Sequence, residues 1–157
     1  MNTFKTLLYM GIMHGFFTLY VPFQLGILDA PIIDMGAFHL LGIPFWAAGG
    51  SIIILCSTDF VRKGRGTPAH ADPPRELVIT GLYRYVRNPI YFGALLILLG
   101  YVLWFASRLM AVYLLWFALA YQVLIVWIEE PILRKTFGAA YEAYCQHVPR
   151  WIPKFKT

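Results

Sequence analysis

Four long apolar stretches separated by polar breaks set the pattern of this chain: from about Thr6 to Leu28, Gly36 to Ser57, Ile90 to Ala106 and Leu109 to Ile128. A helix crossing a hydrocarbon core needs roughly 20 mostly apolar residues, because each residue rises only about 1.5 Å. All four stretches meet that length or come near it, the third being the shortest. Pro22 within the first predicts a kink, and Pro44 sits inside the second. Beyond the fourth, Tyr141, Tyr144, Cys145 and Val148 recur at i, i+3, i+4 and i+7. That spacing predicts a short helix from about Gly138 to His147, its apolar stripe laid on the bundle or the membrane surface. The pattern as a whole predicts an all-α fold. It is a polytopic membrane helical bundle of about four transmembrane helices, one domain over 1–157, with a loop at 59–88 and a tail at 131–157. Gly64, Gly66, Pro68, Pro73 and Pro74 keep that loop from forming a continuous helix. Long loops without regular structure are often functional.

Composition points the same way. Hydrophobic residues make up 59% of the 157 and charged residues 13%, against about 25% charged in an ordinary soluble domain. Too little polar surface remains to cover a water-soluble sphere, and the mean hydropathy is +0.62. The net charge of +5 does not indicate a nucleic-acid partner, because the basic residues flank apolar stretches instead of forming one face. Lys5 precedes the first stretch, and Arg62, Lys63, Arg65, Arg75, Arg84 and Arg87 lie between the second and third. Arg134, Lys135, Arg150, Lys154 and Lys156 follow the fourth, which leaves Arg108 alone on the opposite side of the bundle. The positive-inside rule makes the crowded side cytoplasmic and places both termini there, as expected of a multi-pass protein of a bacterial inner membrane. Tyr101, Trp104, Tyr113, Trp127 and Trp151 fall near stretch ends, where interfacial anchors belong. The first apolar stretch is too long for a signal peptide and lacks a cleavage site. Cys56 and Cys145 are too few and too scattered for a disulfide framework or a zinc site and read as small apolar residues.

Two clusters carry candidate chemistry, both on the crowded side. The first is Gly81-Leu82-Tyr83-Arg84-Tyr85-Val86-Arg87-Asn88-Pro89-Ile90-Tyr91-Phe92-Gly93, entering the third stretch. An architectural reading suffices for much of it: Asn88 suits an N-cap, Pro89 the first helical turn, and the arginines obey the inside rule. A ligand reading adds that a helix N-terminus offers free N–H groups to an anionic group. Arg84 and Arg87 would reinforce such a site, and the tyrosines offer rings to a base. The second cluster is Glu129-Glu130-Pro131, the one adjacent pair among eight acidic residues. Neighbours on a helix point about 100° apart, so one carboxylate can face the bundle while the other faces the interface. Glu130 can pair with Arg134 at i+4. Glu129 has Leu133 there and no such partner, which makes it the stronger site candidate. His14 and His39 read as helix-packing hydrogen-bonders. His70 and His147 are either solvated or near a cofactor. No metal-ligand spacing, P-loop or nucleophile elbow is present.

In this order, the clusters resemble the isoprenylcysteine carboxyl methyltransferase and phospholipid methyltransferase superfamily of integral membrane methyltransferases. The family pattern runs Arg-His-Pro-x-Tyr-x-Gly, a span, Glu-Glu, Phe-Gly-x-x-Tyr and Val-Pro-Arg. Here it reads Arg87-Asn88-Pro89-Ile90-Tyr91-Phe92-Gly93, Glu129-Glu130, Phe137-Gly138-Ala139-Ala140-Tyr141 and Val148-Pro149-Arg150. Gly64-Arg65-Gly66-Thr67-Pro68 and Leu77-Val78-Ile79-Thr80-Gly81-Leu82-Tyr83 also resemble small bacterial members, so the likeness covers about the C-terminal two-thirds. It implies S-adenosylmethionine bound between the third and fourth spans, under the tail. By position, Tyr83, Asn88, Pro89, Tyr91 and Glu129 would contact it, with Glu76, Leu77 and Val78 adding backbone contacts. Glu130 and Arg150 are weaker candidates, and the catalytic assignment falls on Glu129 and Arg87.

Two departures matter. Asn88 replaces the motif histidine and cannot act as a general base near neutral pH. Val123-Leu124-Ile125-Val126 also lacks the arginine that prenylcysteine enzymes carry one turn before the acidic pair. A carboxylate acceptor is thereby disfavoured unless Arg84 or Arg87 reaches it, and among amine, thiol and carboxylate the expectation leans to a neutral amine or thiol on a lipid or lipophilic molecule, with no metal. A sterol-reductase-like enzyme binding NADPH would need more clustered cations than the tail supplies. A non-enzymatic membrane scaffold or small transporter would leave the co-occurring motifs unexplained.

Overall fold

The computed structural model describes residues 11–59 and 76–153. The readings on Lys5, on the loop stretch with Arg62, Lys63, Arg65, Arg75 and His70, and on Lys154 and Lys156 lie outside the described residues. So does the side chain of His14.

Among the described residues the fold is all-helical. Helix α1 is the π-helical Gly11–Tyr20 continued by the α-helical Val21–Leu28. Helix α2, Gly36–Asp59, opens as a 3-10 turn over Gly36–Leu41 and continues as α from Gly42. Helix α3 is Pro89–Phe105. Helix α4, Arg108–Phe137, is α to Leu124, π over Ile125–Glu129 and α again from Glu130. Helix α5 is Ala139–His147, as the apolar stripe predicts. Its Tyr141 and the Val148 that follows it are buried.

Prolines place the irregular turns. Pro22 and Pro131 each sit at the second residue of an α segment preceded by a π segment, and Pro44 is third after the 3-10 turn. A proline removes an N–H and drives its ring against the carbonyl four residues earlier, so a widened or tightened turn before it relieves both problems. The helix itself runs on beyond the expected span. The helix does not stop at Ile128. It carries Glu129 and Glu130 through the π turn and ends at Phe137.

By length and composition α2 (24 residues) and α4 (30 residues) can cross a membrane, while Gly15–Leu28 and Pro89–Phe105 are shorter apolar helices. The surface is inverted relative to a soluble protein: Val112, Leu115, Trp116, Leu119, Val123 and Trp127 make an exposed apolar stripe along α4.

Helices α2 and α3 pack through glycine. A Cβ on Gly49 would lie 2.4 Å from the Gly93 carbonyl oxygen, and one on Gly42 would lie 2.6 Å from that of Gly100. Both contacts repeat after seven residues on antiparallel helices, a seam of small residues that lets the backbones touch. Ile53, Ala94, Ile97, Leu98, Phe117, Tyr121 and Ile125 fill the core between α2, α3 and α4. Tyr101 and Tyr113 donate to the carbonyls of Leu19 (3.3 Å) and Phe17 (2.7 Å), tying α1 to the other helices.

At one end of the bundle a tight hairpin joins α3 to α4. Ala106 takes the left-handed conformation (φ 48°) and donates to the Val102 carbonyl. Ser107 accepts from the Met110 N–H at 3.2 Å as the α4 N-cap and donates to Asp29 Oδ2 at 2.6 Å. Asp29 also accepts from the Leu109 N–H at 2.9 Å. That N–H first, and then the Ser107 hydroxyl, hold its carboxyl below the usual range.

The His39 ring packs edge-on against Trp104 of α3, but its hydrogen bond stays within its own turn, between Nδ1 and the Gly36 carbonyl at 2.5 Å.

Candidate functional site

The opposite end of the bundle gathers the motif residues. Gly81 takes φ +60° and starts the 3-10 turn Gly81–Arg84, which turns Tyr83 inward. Tyr83 packs with Cys56, Val78 and Ile90. Burial, then the neighbouring Cys56, Tyr144 and Glu129, push its phenol well above 10, so it stays a proton donor. Its carbonyl accepts from the Tyr144 hydroxyl of α5 at 2.7 Å. Of the preceding segment, Val78 is buried in the same cluster, Leu77 is half-buried and Glu76 is exposed.

Pro89 is the buried first residue of α3, with Asn88 at the N-cap position. The expected side-chain cap is absent, however. Asn88 Nδ2 instead donates to the Arg150 carbonyl at 3.1 Å, because the chain after α5 lies across this helix end. The Arg87 N–H donates to the Pro149 carbonyl at 2.9 Å, a second tie to the same segment.

One turn into α3, the Tyr91 hydroxyl donates to Glu129 Oε1. The Tyr91 ring lies 4.6 Å from that of Tyr121. The N-terminal end of α3 and the first acid of the pair, 38 residues apart, are therefore in direct contact.

Glu130 points elsewhere. It is buried, and its Oε1 accepts from Arg150 Nε at 2.8 Å and Arg87 Nη1 at 3.1 Å. Its Oε2 accepts from Arg150 Nη2 at 3.1 Å and lies 3.4 Å from Arg134 Nη2. The i+4 pair with Arg134 exists, but two more distant arginines approach closer. Arg134 itself turns to Glu142 at 2.7 Å. Arg87 Nη1 also reaches Cys145 Sγ at 2.8 Å, whereas Arg87 Nε is buried without an acceptor. A buried donor left open beside a helix N-terminus suits an anionic ligand group.

Several participants were not singled out from the sequence. Tyr144 and Cys145 were read only as parts of an apolar stripe, and Trp151 as an interfacial anchor; it donates to Gln122 Oε1 on α4 at 2.8 Å. Gln122, a lone amide in an apolar run, was the available signal. Arg84 and Tyr85 are exposed. His147 bonds the Ala143 carbonyl of its own helix at 2.8 Å. No group of metal-binding side chains occurs among the described residues.

A family model for phospholipid methyltransferases matches residues 38–140, from within α2 into α5. Comparisons with curated proteins and with solved structures gave no match.

Proposed function

Since the chain belongs to the phospholipid methyltransferase family, we propose that it transfers the methyl group of S-adenosylmethionine to a lipid or lipophilic acceptor at the cytoplasmic face of a membrane. The observation that carries this reading is the Tyr91–Glu129 contact, which joins the two halves of the family motif at one end of the bundle. In this reading all four long helices cross the bilayer and both termini are cytoplasmic. A 30-residue α4 rises about 45 Å, against a hydrocarbon core of about 30 Å. Its last turns therefore stand in the headgroup region, and Glu129 sits at the boundary.

The residues present fit the cofactor. Glu129 offers a carboxylate to its ammonium or ribose hydroxyls, and Arg87 Nε offers an open donor to its carboxylate. Tyr83 and Tyr91 offer a phenol and a ring, with Asn88, Pro89 and the Glu76–Val78 segment forming the adjoining wall. When bound, S-adenosylmethionine supplies an electrophilic methyl group on a cationic sulfur. That positive charge diminishes as the methyl leaves, so a carboxylate on the sulfur would favour the ground state over the transition state. Glu129 acts instead by binding and orientation, its Oε1 steered by Tyr91. Rate enhancement then comes from holding donor and acceptor in line and away from bulk water. Asn88 positions and takes no proton. With no cation in Val123-Leu124-Ile125-Val126, a neutral amine or thiol is the favoured acceptor.

The test is incubation of purified protein with a membrane lipid extract and methyl-labelled S-adenosylmethionine, followed by mass spectrometry. A labelled lipid is expected with the wild type and not with Glu129→Ala. No labelled product from the wild type would overturn the reading.

A further inference from the structure

The adjacent acids do not share a task. A carboxylate has about four lone-pair sites, and those of Glu130 face Arg150 Nε, Arg150 Nη2, Arg87 Nη1 and Arg134 Nη2. Its side chain is 4% exposed. No acceptor capacity remains for an ammonium or a ribose hydroxyl. Arg150 meets it fork to carboxylate, the geometry that gives a charge pair both strength and orientation.

What Glu130 holds is the segment Val148–Pro153. This segment has no helix of its own and is tied down at both edges of the candidate site. On one side the Arg87 N–H and Asn88 Nδ2 reach the carbonyls of Pro149 and Arg150. On the other, the Trp151 indole reaches Gln122 of α4. The segment therefore bridges the start of α3 to α4, over the ground assigned to the ligand. It also holds the Asn88 side chain by its amide N–H, and that side chain makes no cap on α3.

We propose that Glu130 is a positioning residue whose carboxylate locks Val148–Pro153 as a strap across the N-terminus of α3. The strap must lift for the cofactor to exchange. Glu129 serves the ligand and Glu130 serves the strap. This rests on the function proposed above for the identity of the ligand, but the strap itself can be tested without one.

The first measurement is hydrogen exchange at the Arg87 amide, whose acceptor is the Pro149 carbonyl, on full-length protein in nanodiscs. Removing one partner of a buried pair leaves the other charge uncompensated. Glu130→Gln and Arg150→Gln should each speed that exchange roughly tenfold or more, with the double variant no faster than the worse single. Arg150→Lys, which keeps charge but loses the fork, should fall between, and Glu129→Gln should match the wild type. Because Arg150 lies on the strap and outside the helices, its variants carry the test even where Glu130→Gln does not fold. Unchanged Arg87 exchange in the Arg150 variants would overturn the strap.

The second measurement is release of labelled S-adenosylmethionine. Arg150→Gln should speed dissociation roughly tenfold. Lowered thermal stability with an unchanged release rate would reduce Glu130 to a structural pair and overturn its positioning role. A wild type that binds no S-adenosylmethionine would sink the proposed function, while Arg87 exchange still decides the strap.

Discussion

Arg87 and Glu130, 43 residues apart in sequence, meet at 3.1 Å where the loop before α3 crosses the far end of α4. That contact fixes the orientation of the acidic pair. With Glu130 drawn to the arginines, Glu129 is left on the neighbouring face, against Tyr91. The π turn Ile125–Glu129 lets the helix continue past Pro131 and carries both acids in one rigid element.

Tyr91→Phe keeps the ring against Tyr121 and removes the hydroxyl that steers Glu129. One hydrogen bond to a charged group contributes about 1.5–3 kcal/mol. Cofactor affinity should fall by roughly ten- to a hundredfold, read as Kd by titration, with the helical circular dichroism signal unchanged. Affinity equal to the wild type would mean that the hydroxyl steers nothing of importance.

The glycine seam gives a prediction with opposite signs at adjacent positions. A methyl group on Gly49 would lie 2.4 Å from the Gly93 carbonyl, whereas at Gly50 it would meet nothing within 4 Å. Gly49→Ala should destabilise by about 1–3 kcal/mol through overpacking of backbone on backbone. Gly50→Ala should stabilise by up to about 1 kcal/mol through helix propensity. Unfolding midpoints of the two variants should move apart, and a shift in the same direction would contradict the close approach.

At the other end, Ser107→Ala should cost about 1 kcal/mol through loss of the α4 cap. Asp29 adds a pH dependence. Its carboxyl is held below the ordinary 3.8 by the Leu109 N–H and then the Ser107 hydroxyl, so the ionised form stabilises the fold. That contribution is present above pH 3.8 and is lost as pH falls through the lower folded value. The stability difference between wild type and Asp29→Asn should therefore be constant at neutral pH and vanish in acid. A difference that grows on acidification would have the wrong sign.

Much of this could be read from the chain. Apolar run length located the helices, Pro89 marked the start of α3, and the i, i+3, i+4, i+7 spacing found α5. Glu129 was separated from Glu130 by asking which had a local base. A local base lies within four residues along a helix, which picks out Arg134 at 3.4 Å but not Arg150 at 2.8 Å or Arg87 at 3.1 Å, since these arrive from other segments. Asn88 looked like a cap by residue type, yet the folded tail brings the Arg150 carbonyl to its amide instead. Apolar run length marks a span that ends at Ile128, whereas the helix carries on to Phe137 through a π turn that composition does not reveal. The pairing of Gly42 with Gly100 and of Gly49 with Gly93 depends on a register between helices that no local pattern encodes.

The proposed function requires Glu129 to be the carboxylate that grips a cationic methyl donor. Isothermal titration of S-adenosylmethionine into purified wild-type and Glu129→Ala protein measures this directly. Saturable binding by the wild type and at least about a tenfold weaker Kd in the variant, a loss of roughly 1.4 kcal/mol, is the expected result. Equal affinity in the two proteins would contradict it.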